Sequence, residues 1–275
     1  MSIRVGVIGA SGFTGAELMR LIASHPQFEL VLATGDTMAG RRAADVYPSL
    51  ELGYPSLRYE PFDPAAAAGL DLVILGLPHD GSMALAPQLV DSVGCIVDLS
   101  AAYRLKDPAH YPRYYGFEHT QPALLAEAVF GLPELHRDRL AGAKLIATPG
   151  CHVTAATLAL RPLVELGAIE PFGVVVDTLT GITGAGRTPT DTNVFTNVDS
   201  NVFAYGMLNH RHTPEMEQEI GATLIFTPHI VPMSRGLLAT CYARPTGACS
   251  TDDVLDVLTA YYDDEPFVAV TAAPP

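Results

Sequence analysis

The chain has 275 residues, of which 48% are hydrophobic and 17% charged, a composition that predicts a globular protein of one large domain or two ordinary ones. The net charge of −14 and the scatter of only 16 Lys and Arg residues argue against nucleic acid binding, which requires clustered basic side chains. The sequence shows no leader-type apolar core and no run of membrane-spanning length, so we expect a cytoplasmic protein with no membrane partner.

The cysteine pattern indicates reduced thiols. Cys95, Cys151, Cys241 and Cys249 include no C-x-x-C pair and no companion histidine at zinc-finger spacing. We therefore predict neither a metal site nor a disulfide framework.

The first elements along the chain are typical of a nucleotide-binding turn. A β-branched run over residues 3–8 enters a glycine-rich segment, and residues 16–23 then place their apolar side chains on one helical face. Glycines in the turn would let the backbone approach a dinucleotide pyrophosphate at a helix N-terminus, although a purely structural turn is the alternative. The residues predicted to contact the cofactor here are Gly9, Ser11, Gly12, Phe13, Thr14 and Gly15.

The end of the second predicted strand carries opposite signals on cofactor choice. Residues 29–34 form this strand and lead into Gly35-Asp36, and Arg41 and Arg42 follow. An acidic residue favours the free ribose hydroxyls of NAD, whereas paired arginines suit the 2′-phosphate of NADP. The residues alone leave both cofactors open.

The next segments predict a parallel sheet. Residues 71–77 are a continuous apolar run of the kind buried on both faces, a helical stretch follows to Val90, and residues 95–99 form another strand. Alternating strands and helices indicate an α/β fold with a doubly wound parallel sheet. His79 and Ser82 follow a strand, where such sheets bind ligands, but turn-forming residues are equally common there.

An aromatic, proline-rich passage follows the strand at 95–99. Two of its side chains, Arg104 and His119, carry polar groups that suit substrate recognition. By themselves they fit substrate contacts and surface polar residues equally well.

One thiol is placed for nucleophilic chemistry. The apolar run at 145–147 is cut by Pro149-Gly150, and Cys151 stands at the head of a segment (154–163) with helical periodicity. Unpaired N–H groups and the helix dipole at such a position stabilise a thiolate, the form that attacks carbonyl carbon. The alternative is that Cys151 is a small buried hydrophobe, as many free cysteines are.

A second polar cluster stands immediately before a predicted helix. Residues 172–179 form a strand, residues 180–187 a glycine-rich loop, and His210-Arg211-His212 precedes a helix for which Thr213 is the expected N-cap. Because a thiol nucleophile needs a base, two imidazoles flanking an arginine indicate a site. The remaining predicted elements are strands at 224–228 and 237–243, a helix at 251–262 and a sheet-forming segment at 267–271.

With these motifs in place, the chain resembles the N-acetyl-γ-glutamyl-phosphate reductases, relatives of aspartate-semialdehyde dehydrogenases. The segments that carry the resemblance, in family order, are Gly9 to Gly15, Asp98 to Arg104, Tyr115 to His119, Gly131 to Glu134, Pro149 to Cys151, Gly184 to Arg187, His210 to Glu215 and Phe226 to His229.

The resemblance implies an NADP-dependent reductase of arginine biosynthesis. Its expected reaction converts N-acetyl-glutamyl 5-phosphate to the 5-semialdehyde and phosphate through a cysteine thioester. The implied architecture is a Rossmann domain over residues 1–148 and an α+β catalytic domain with a mixed sheet over residues 149–275. A homo-oligomer, dimer or tetramer, is expected.

The resemblance also implies roles for individual side chains. Cys151 is the expected nucleophile and His210 the expected base, with His212 the second candidate for base. The other expected contacts are Arg41, Arg42, Pro78 and Gly184 for the cofactor, and Ser100, Arg104, His119, Arg187 and Arg211 for the substrate.

Some positions depart from the family pattern. Ala102 stands where an acidic residue is usual, His152 where a tyrosine follows the nucleophile, and Thr183 where a serine is usual. The family also continues beyond position 275 with a return to the Rossmann domain, which we expect this chain to lack. The alternatives are therefore a reductase of a related acyl phosphate (carrier-bound aminoadipyl or glutamyl phosphate, or aspartyl phosphate) and an inactive nucleotide-binding homologue.

Overall fold

A computed structural model describes residues 2–273, which fold as two units around separate sheets. One unit holds the chain up to Pro112 together with Phe117–Gly131 and His136–Pro149, and the other holds Arg113–Gly116, Leu132–Leu135 and the chain from Gly150 onward. None of the helices described within residues 2–273 is long and apolar enough to cross a membrane.

The first unit is built on six parallel strands. They are β1 (Ile3–Ile8), β2 (Phe28–Ala33), β3 (Leu72–Leu75), β4 (Cys95–Asp98), β5 (Val129–Phe130) and β6 (Leu145–Ala147). Their order across the sheet is β2-β1-β3-β4-β6-β5. The chain leaves β1 toward one edge and β3 toward the other, so the loops after these two strands flank a topological switch point, where doubly wound sheets bind ligands.

Helices and short turns connect these strands. They are α1 (Phe13–Ser24), α2 (Ala43–Val46), α3 (Pro64–Ala67), α4 (His79–Leu89), α5 (His110–Tyr115), α6 (Pro122–Glu127) and α7 (Pro133–Leu140), with 3-10 turns at Asp36–Met38 and Pro48–Leu50. Val5 and Val7 of β1 are fully buried and pack with Met19 and Ile22 of α1. One face of this helix therefore forms the core beside β1, but the predicted apolar residues do not all share it, because Leu21 is 51% exposed.

The second unit is built on a mixed sheet. Its strands are β7 (Val174–Thr180), β8 (Phe203–Ala204), β9 (Leu224–Ile230) and β10 (Leu237–Tyr242), in the order β10-β7-β9-β8. Its helices are α8 (Cys151–Glu165), α9 (Phe195–Val198), α10 (Thr213–Ile220) and α11 (Thr251–Tyr261), with a 3-10 turn at Ile182–Ala185. β7 and β9 are parallel, whereas β10 and β8 run antiparallel to their neighbours. The predicted fold class, a parallel Rossmann sheet plus an α+β unit, is confirmed.

One face of the mixed sheet is covered and the other is open. Val174, Val176 and Phe226 are buried on the covered face, where α8 contacts β10 and α10. Alternate residues along a strand point to opposite faces, and on the open face Leu238 and Tyr242 are each more than half exposed. This face of the sheet therefore presents several large apolar side chains to solvent, together with polar residues such as Thr240.

Two local predictions are wrong. The segment at 267–271 forms no strand, because no neighbouring strand pairs with it, and Phe267 is 93% exposed. The N-cap of α10 is His212, and Thr213 is already helical, since Pro214 occupies its first turn. The helix predicted to run to Val90 begins directly after Pro78, so His79 and Ser82 lie in the first turn of α4.

Gly15 of α1 allows the helix to pass close to the turn that precedes it. A Cβ atom at this position would overlap the Ala10 backbone, so Gly15→Ala must displace the helix. We expect Gly15→Ala to lower the free energy of unfolding by about 1–3 kcal/mol, measured by urea denaturation. Gly247→Ala is the control, because no atom lies within 4 Å of its added Cβ; equal losses in both variants would contradict the packing argument.

Candidate active site

Cys151 is the first residue of α8. The chain leaves β6, turns through residues 148–150 and enters the helix with Gly150 at the N-cap. Gly150 has extended backbone angles and no side chain that could cap the first turn, so the N–H groups of that turn are left to interact with a thiolate or a bound anion. The Cys151 side chain is exposed, as a nucleophile must be.

The turn before Cys151 is fastened to α10. The Gly150 N–H donates to Glu215 Oε1 at 2.8 Å, and Glu215 is fully buried. A Cβ atom at Gly150 would overlap the imidazole of His212. Glycine at this position therefore lets an imidazole lie directly against the backbone beside the thiol.

Three imidazoles surround the thiol. The ring centroids of His152, His210 and His212 are 4.8–5.5 Å apart. Ligand atoms of Cys151, His152 and His212 lie within 4.8 Å of one another. The structure thus brings together the sequence-predicted Cys151, His210 and His212, and adds His152.

Both ring nitrogens of His152 have partners. Nδ1 lies 2.8 Å from Thr178 Oγ1, and Nε2 lies 3.0 Å from the Tyr205 hydroxyl. Burial lowers the pKa of His152 to about 4, so this imidazole is neutral at pH 7. Burial, together with the Cys151 charge, raises the pKa of Tyr205 to about 12, so the tyrosine stays protonated.

His210 is held as a neutral hydrogen-bond donor. Its Nδ1 accepts from the His212 backbone N–H at 3.1 Å, which leaves the proton of the neutral ring on Nε2. Burial lowers its pKa to about 3, and the charges of His152 and Arg211 add to the effect. Its Nε2–H can therefore stabilise a developing oxyanion.

These groups line one cavity of about 190 Å³. Arg211 brings a guanidinium to it, and the glycine-rich loop after β7 forms its wall, including Gly184. Arg187, predicted for the substrate, is exposed beyond Gly186 and is not part of this wall. The cavity combines a thiol, imidazoles and a cation, the groups that acyl transfer from an anionic donor needs.

In the first unit, the glycine-rich turn after β1 fits a dinucleotide. Gly9 has a φ of +83°, and a Cβ atom there would overlap the Gly76 carbonyl oxygen. Gly12 follows Ser11 as the N-cap of α1 and supplies no side-chain cap, so no N-cap side chain covers the N–H groups of the first turn, which begins with Phe13 and Thr14. This is a backbone cradle at a helix N-terminus, the form of a pyrophosphate site.

A cavity of about 370 Å³ lies beside this turn. Gly9, Asp36 and Leu77 are among its lining residues. Oδ1 of Asp36 accepts from the Phe62 N–H at 3.0 Å. Pro78 follows Leu77 as the N-cap of α4, which places it at the same edge of the sheet.

The two predicted arginines differ in their surroundings. Arg42 forms ion pairs with Asp45 at 2.8 Å and Glu51 at 3.2 Å, and also donates to the Pro55 carbonyl. The Arg41 guanidinium contacts Met38 Sδ at 3.6 Å. Arg41 is therefore the arginine of the two whose guanidinium is less engaged in ion pairs and hydrogen bonds within the protein.

The remaining predicted substrate residues organise the loop after β4. Ser100 Oγ donates to the buried Asp98 at 2.8 Å, Arg104 donates to the Leu99 carbonyl at 2.8 Å, and His119 Nε2 lies 2.8 Å from the Ala102 carbonyl. Burial raises the pKa of Asp98, while the Ser100 hydrogen bonds and the Arg104 charge act in the opposite sense. Within the first unit, these side chains shape one loop.

Sequence reasoning missed four residues of the Cys151 cavity and its support: His152, Tyr205, Thr178 and Glu215. Tyr205 and Thr178 carry no motif, since they reach His152 only because β7 and the segment after β8 converge there. Glu215 lies in a helix that the sequence predicts, but the bond to Gly150 spans 65 positions. The available signal was a carboxyl group in the first turn, immediately after the histidine pair.

Two family models match almost the whole chain. The one described as semialdehyde dehydrogenase, NAD binding domain, matches residues 4–143, and the one described as semialdehyde dehydrogenase, dimerisation domain, matches residues 151–275. The chain therefore carries a nicotinamide-dinucleotide-binding domain and a dimerisation domain of this family.

Curated relatives align along nearly the entire sequence. A Dehalococcoides mccartyi protein named N-acetyl-gamma-glutamyl-phosphate reductase is 43% identical over 280 residues, which cover 99% of this chain and 80% of that protein. A protein of the same name from Symbiobacterium thermophilum is 43% identical with the same coverage.

Solved structures share the fold at low identity. Aspartate semialdehyde dehydrogenase from Candida albicans, determined with NADP, has a TM-score of 0.70 and 16% identity, and the match covers 94% of this chain and 76% of that one. Aspartate semialdehyde dehydrogenase II from Vibrio cholerae, complexed with ASA, has a TM-score of 0.66 and 16% identity, with coverage of 94% and 78%.

The family models and the curated relatives agree with the resemblance predicted from the motifs. The two models together span both units, and the curated relatives share more than two fifths of their aligned residues with this sequence. The chain belongs to the N-acetyl-gamma-glutamyl-phosphate reductase family of semialdehyde dehydrogenases.

Proposed function

We propose that the chain reduces N-acetyl-glutamyl 5-phosphate to N-acetyl-glutamate 5-semialdehyde and phosphate, with NADPH as reductant, in cytoplasmic arginine biosynthesis. The observation that carries this proposal is the single cavity that holds the Cys151 thiol, the His210 and His212 imidazoles and the Arg211 guanidinium. The names of the relatives supply the substrate. Residues 1–148 bind the cofactor, and residues 149–275 provide the catalytic and substrate-binding domain.

In the first half of the reaction, Cys151 forms the covalent bond. Its thiolate attacks the acyl phosphate carbon, the carbon–oxygen bond to phosphate breaks, and a thioester remains on Cys151. His212 accepts the thiol proton: its ring and that of His152 both lie near the sulfur, but burial lowers the pKa of His152 to about 4 and that of His210 to about 3, which makes those two imidazoles poorer bases. The geometry thus favours His212 for the base, which the sequence assigned first to His210.

In the second half, the residues around Cys151 stabilise the reduced carbon's oxygen. A nicotinamide cofactor, when bound, would supply the hydride for the thioester carbonyl. Backbone N–H groups of the first turn of α8 and the Nε2–H of His210 then donate to the oxyanion of the thiohemiacetal. Collapse of this adduct breaks the carbon–sulfur bond, releases the semialdehyde and restores the Cys151 thiolate.

Arginines hold the anionic ends of the substrate. Arg211 lines the cavity and suits the departing phosphate, because a guanidinium matches phosphate oxygens bidentately. We assign four further residues to the binding of the substrate's carboxylate and to the loops around it, as the resemblance implies: Arg104, Arg187, Ser100 and His119.

The glycine-rich turn and Pro78 would hold the dinucleotide, and Arg41 would bind the 2′-phosphate of NADP. The resemblance assigns Gly184 to the cofactor as well. Arg42 contributes less to binding of the 2′-phosphate, because it is already ion-paired with Asp45 and Glu51. The carboxyl group of Asp36 lines the same cavity and opposes this preference, so cofactor choice depends on the balance between Arg41 and Asp36.

The open face of the mixed sheet forms the contact between subunits of a homo-oligomer, a dimer or a tetramer. Its exposed apolar residues include Leu238, Tyr242 and Ile225, each more than 50% exposed, and they lie in the part of the chain that matches the dimerisation model. Exposed apolar patches of this kind mark protein contacts.

The reaction is tested in the direction of oxidation. N-acetyl-glutamate semialdehyde, phosphate and NADP are mixed with the protein, and absorbance of the reduced nicotinamide is followed. We expect a phosphate-dependent rise, and Cys151→Ser lowers kcat/KM at least about a thousandfold because the hydroxyl is a far weaker nucleophile. Cys249→Ser, at another exposed thiol, retains activity. Turnover of aspartate semialdehyde or a carrier-bound substrate instead of the free acetylated compound would overturn the assignment.

Cofactor choice is tested at the two arginines. We expect Arg41→Ala to raise KM for NADPH about tenfold or more while KM for NADH changes little, because a charge-assisted contact to the 2′-phosphate is lost. Arg42→Ala has a smaller effect, since Arg42 is already ion-paired. A wild-type protein that prefers NADH in steady-state kinetics would refute the NADP assignment.

Subunit contact is tested by placing a charge on the open sheet face. We expect Leu238→Asp to shift the sedimentation-equilibrium mass toward the 29.2 kDa monomer, because the interface would bury an unpaired carboxylate. Leu52→Asp is the control, since Leu52 is 98% exposed in the other unit, and it leaves the mass unchanged. An unchanged oligomer mass in Leu238→Asp would show that the subunit interface does not lie on the open sheet face.

A further inference from the structure

We propose that the Cys151 cavity binds Zn²⁺ through Cys151, His152 and His212, and that the bound ion reversibly silences the thiol. The binding stands on the donor set alone, whereas the inhibition of the reductase rests on the proposed function. The ion acts as an inhibitor and takes no part in the reaction.

The three donors are close enough to share one ion. Ligand atoms of Cys151, His152 and His212 lie within 4.8 Å of one another. A tetrahedral zinc with bonds of about 2.0–2.3 Å places its ligand atoms about 3.3–3.8 Å apart. Each donor therefore moves by about 1 Å or less, a shift that rotation of the thiol and a tilt of the rings can supply.

The backbone already holds these donors in place. Cys151 and His152 occupy the first turn of α8, and His212 is the N-cap of α10. The bond from Gly150 to Glu215 joins the two helix starts. Because the ligands lie at helix starts that are joined by this hydrogen bond, few side chains have to be ordered when an ion binds.

The donor types are those that zinc prefers. One thiolate and two imidazoles match sites of the Cys/His class, and three protein ligands leave a fourth position for water. Thr178 Oγ1 lies 2.8 Å from His152 Nδ1 and orients the ring, as outer partners of ligating histidines do. The metal takes Nε2, which in its absence lies 3.0 Å from the Tyr205 hydroxyl.

The consequence for reactivity is direct. A sulfur bonded to zinc has its lone pair engaged, and the ion occupies the space where the acyl carbon must approach. His212 is engaged by the same ion and cannot accept the thiol proton. Binding at this site therefore blocks both the nucleophile and its base, and removal of the ion restores them.

Cobalt provides a test that does not depend on activity. Co²⁺ substitutes for Zn²⁺, and a thiolate ligand gives a near-ultraviolet charge-transfer band. We expect this band in the native protein, its disappearance in Cys151→Ala, and at least a tenfold weaker Co²⁺ affinity in His152→Phe. Cys249→Ala, which removes an exposed thiol outside the cluster, keeps the band. His152→Gln, a second variant, serves if His152→Phe fails to fold by circular dichroism.

The alkylation rate of the thiol separates this proposal from the proposed function. Iodoacetamide labelling of Cys151, followed by mass spectrometry, should slow at least tenfold with stoichiometric Zn²⁺ and recover with EDTA, and the protection should vanish in His152→Phe. Protection in a protein without reductase activity would uphold the metal site and overturn the proposed function. Reductase activity with no protection, or a cobalt band that survives in Cys151→Ala, would overturn the metal site.

Discussion

The hydrogen bond from the Gly150 N–H to Glu215 fixes the geometry on which the Cys151 cavity depends. It joins the start of α8 to the start of α10, so the thiol and the His210 and His212 imidazoles keep one arrangement although 59 or more positions separate them in sequence. A hydrogen bond to a buried carboxyl group contributes about 1.5–3 kcal/mol if that group is ionised, and its loss would leave the Gly150 N–H without its acceptor. Thr180, which lines the cavity from β7, and Thr178, which contacts His152, are then positioned by a sheet that packs against the same helix.

Much of the fold follows from local pattern. The run at 3–8 and the apolar segments at 71–77 and 95–99 carry the periodicity of buried strands, and each forms a parallel strand within a residue or two of its predicted ends. The failures have tertiary causes. Residues 267–271 have strand-like composition, but a strand requires a partner, and none pairs with them. Thr213 is a good N-cap by residue type, but the chain enters α10 one residue earlier, with His212 at that position.

The parts of the site that could be predicted are those whose reactive residues are adjacent in the sequence. The sequence predicts a nucleophile in Pro149-Gly150-Cys151 and its base in His210-Arg211-His212. In the structure, Cys151 and both histidines line one cavity. Partners that come from distant strands leave no such mark, as Tyr205 and Thr178 illustrate. The ion pairs of Arg42 with Asp45 and Glu51 likewise could not be predicted, because the sequence argument considered only the positive charges that follow the second strand.

Both helix starts that serve chemistry begin with a glycine N-cap, and the two glycines differ in how freely they can change. Glycine is only a few tenths of a kcal/mol poorer than serine at an N-cap, so leaving the N–H groups uncovered costs each helix little. At Gly12, an added Cβ would meet only the Gly9 carbonyl oxygen at 3.8 Å, whereas at Gly150 it would overlap His212. Position 12 can therefore accept small residues during evolutionary drift, while position 150 tolerates no side chain at all.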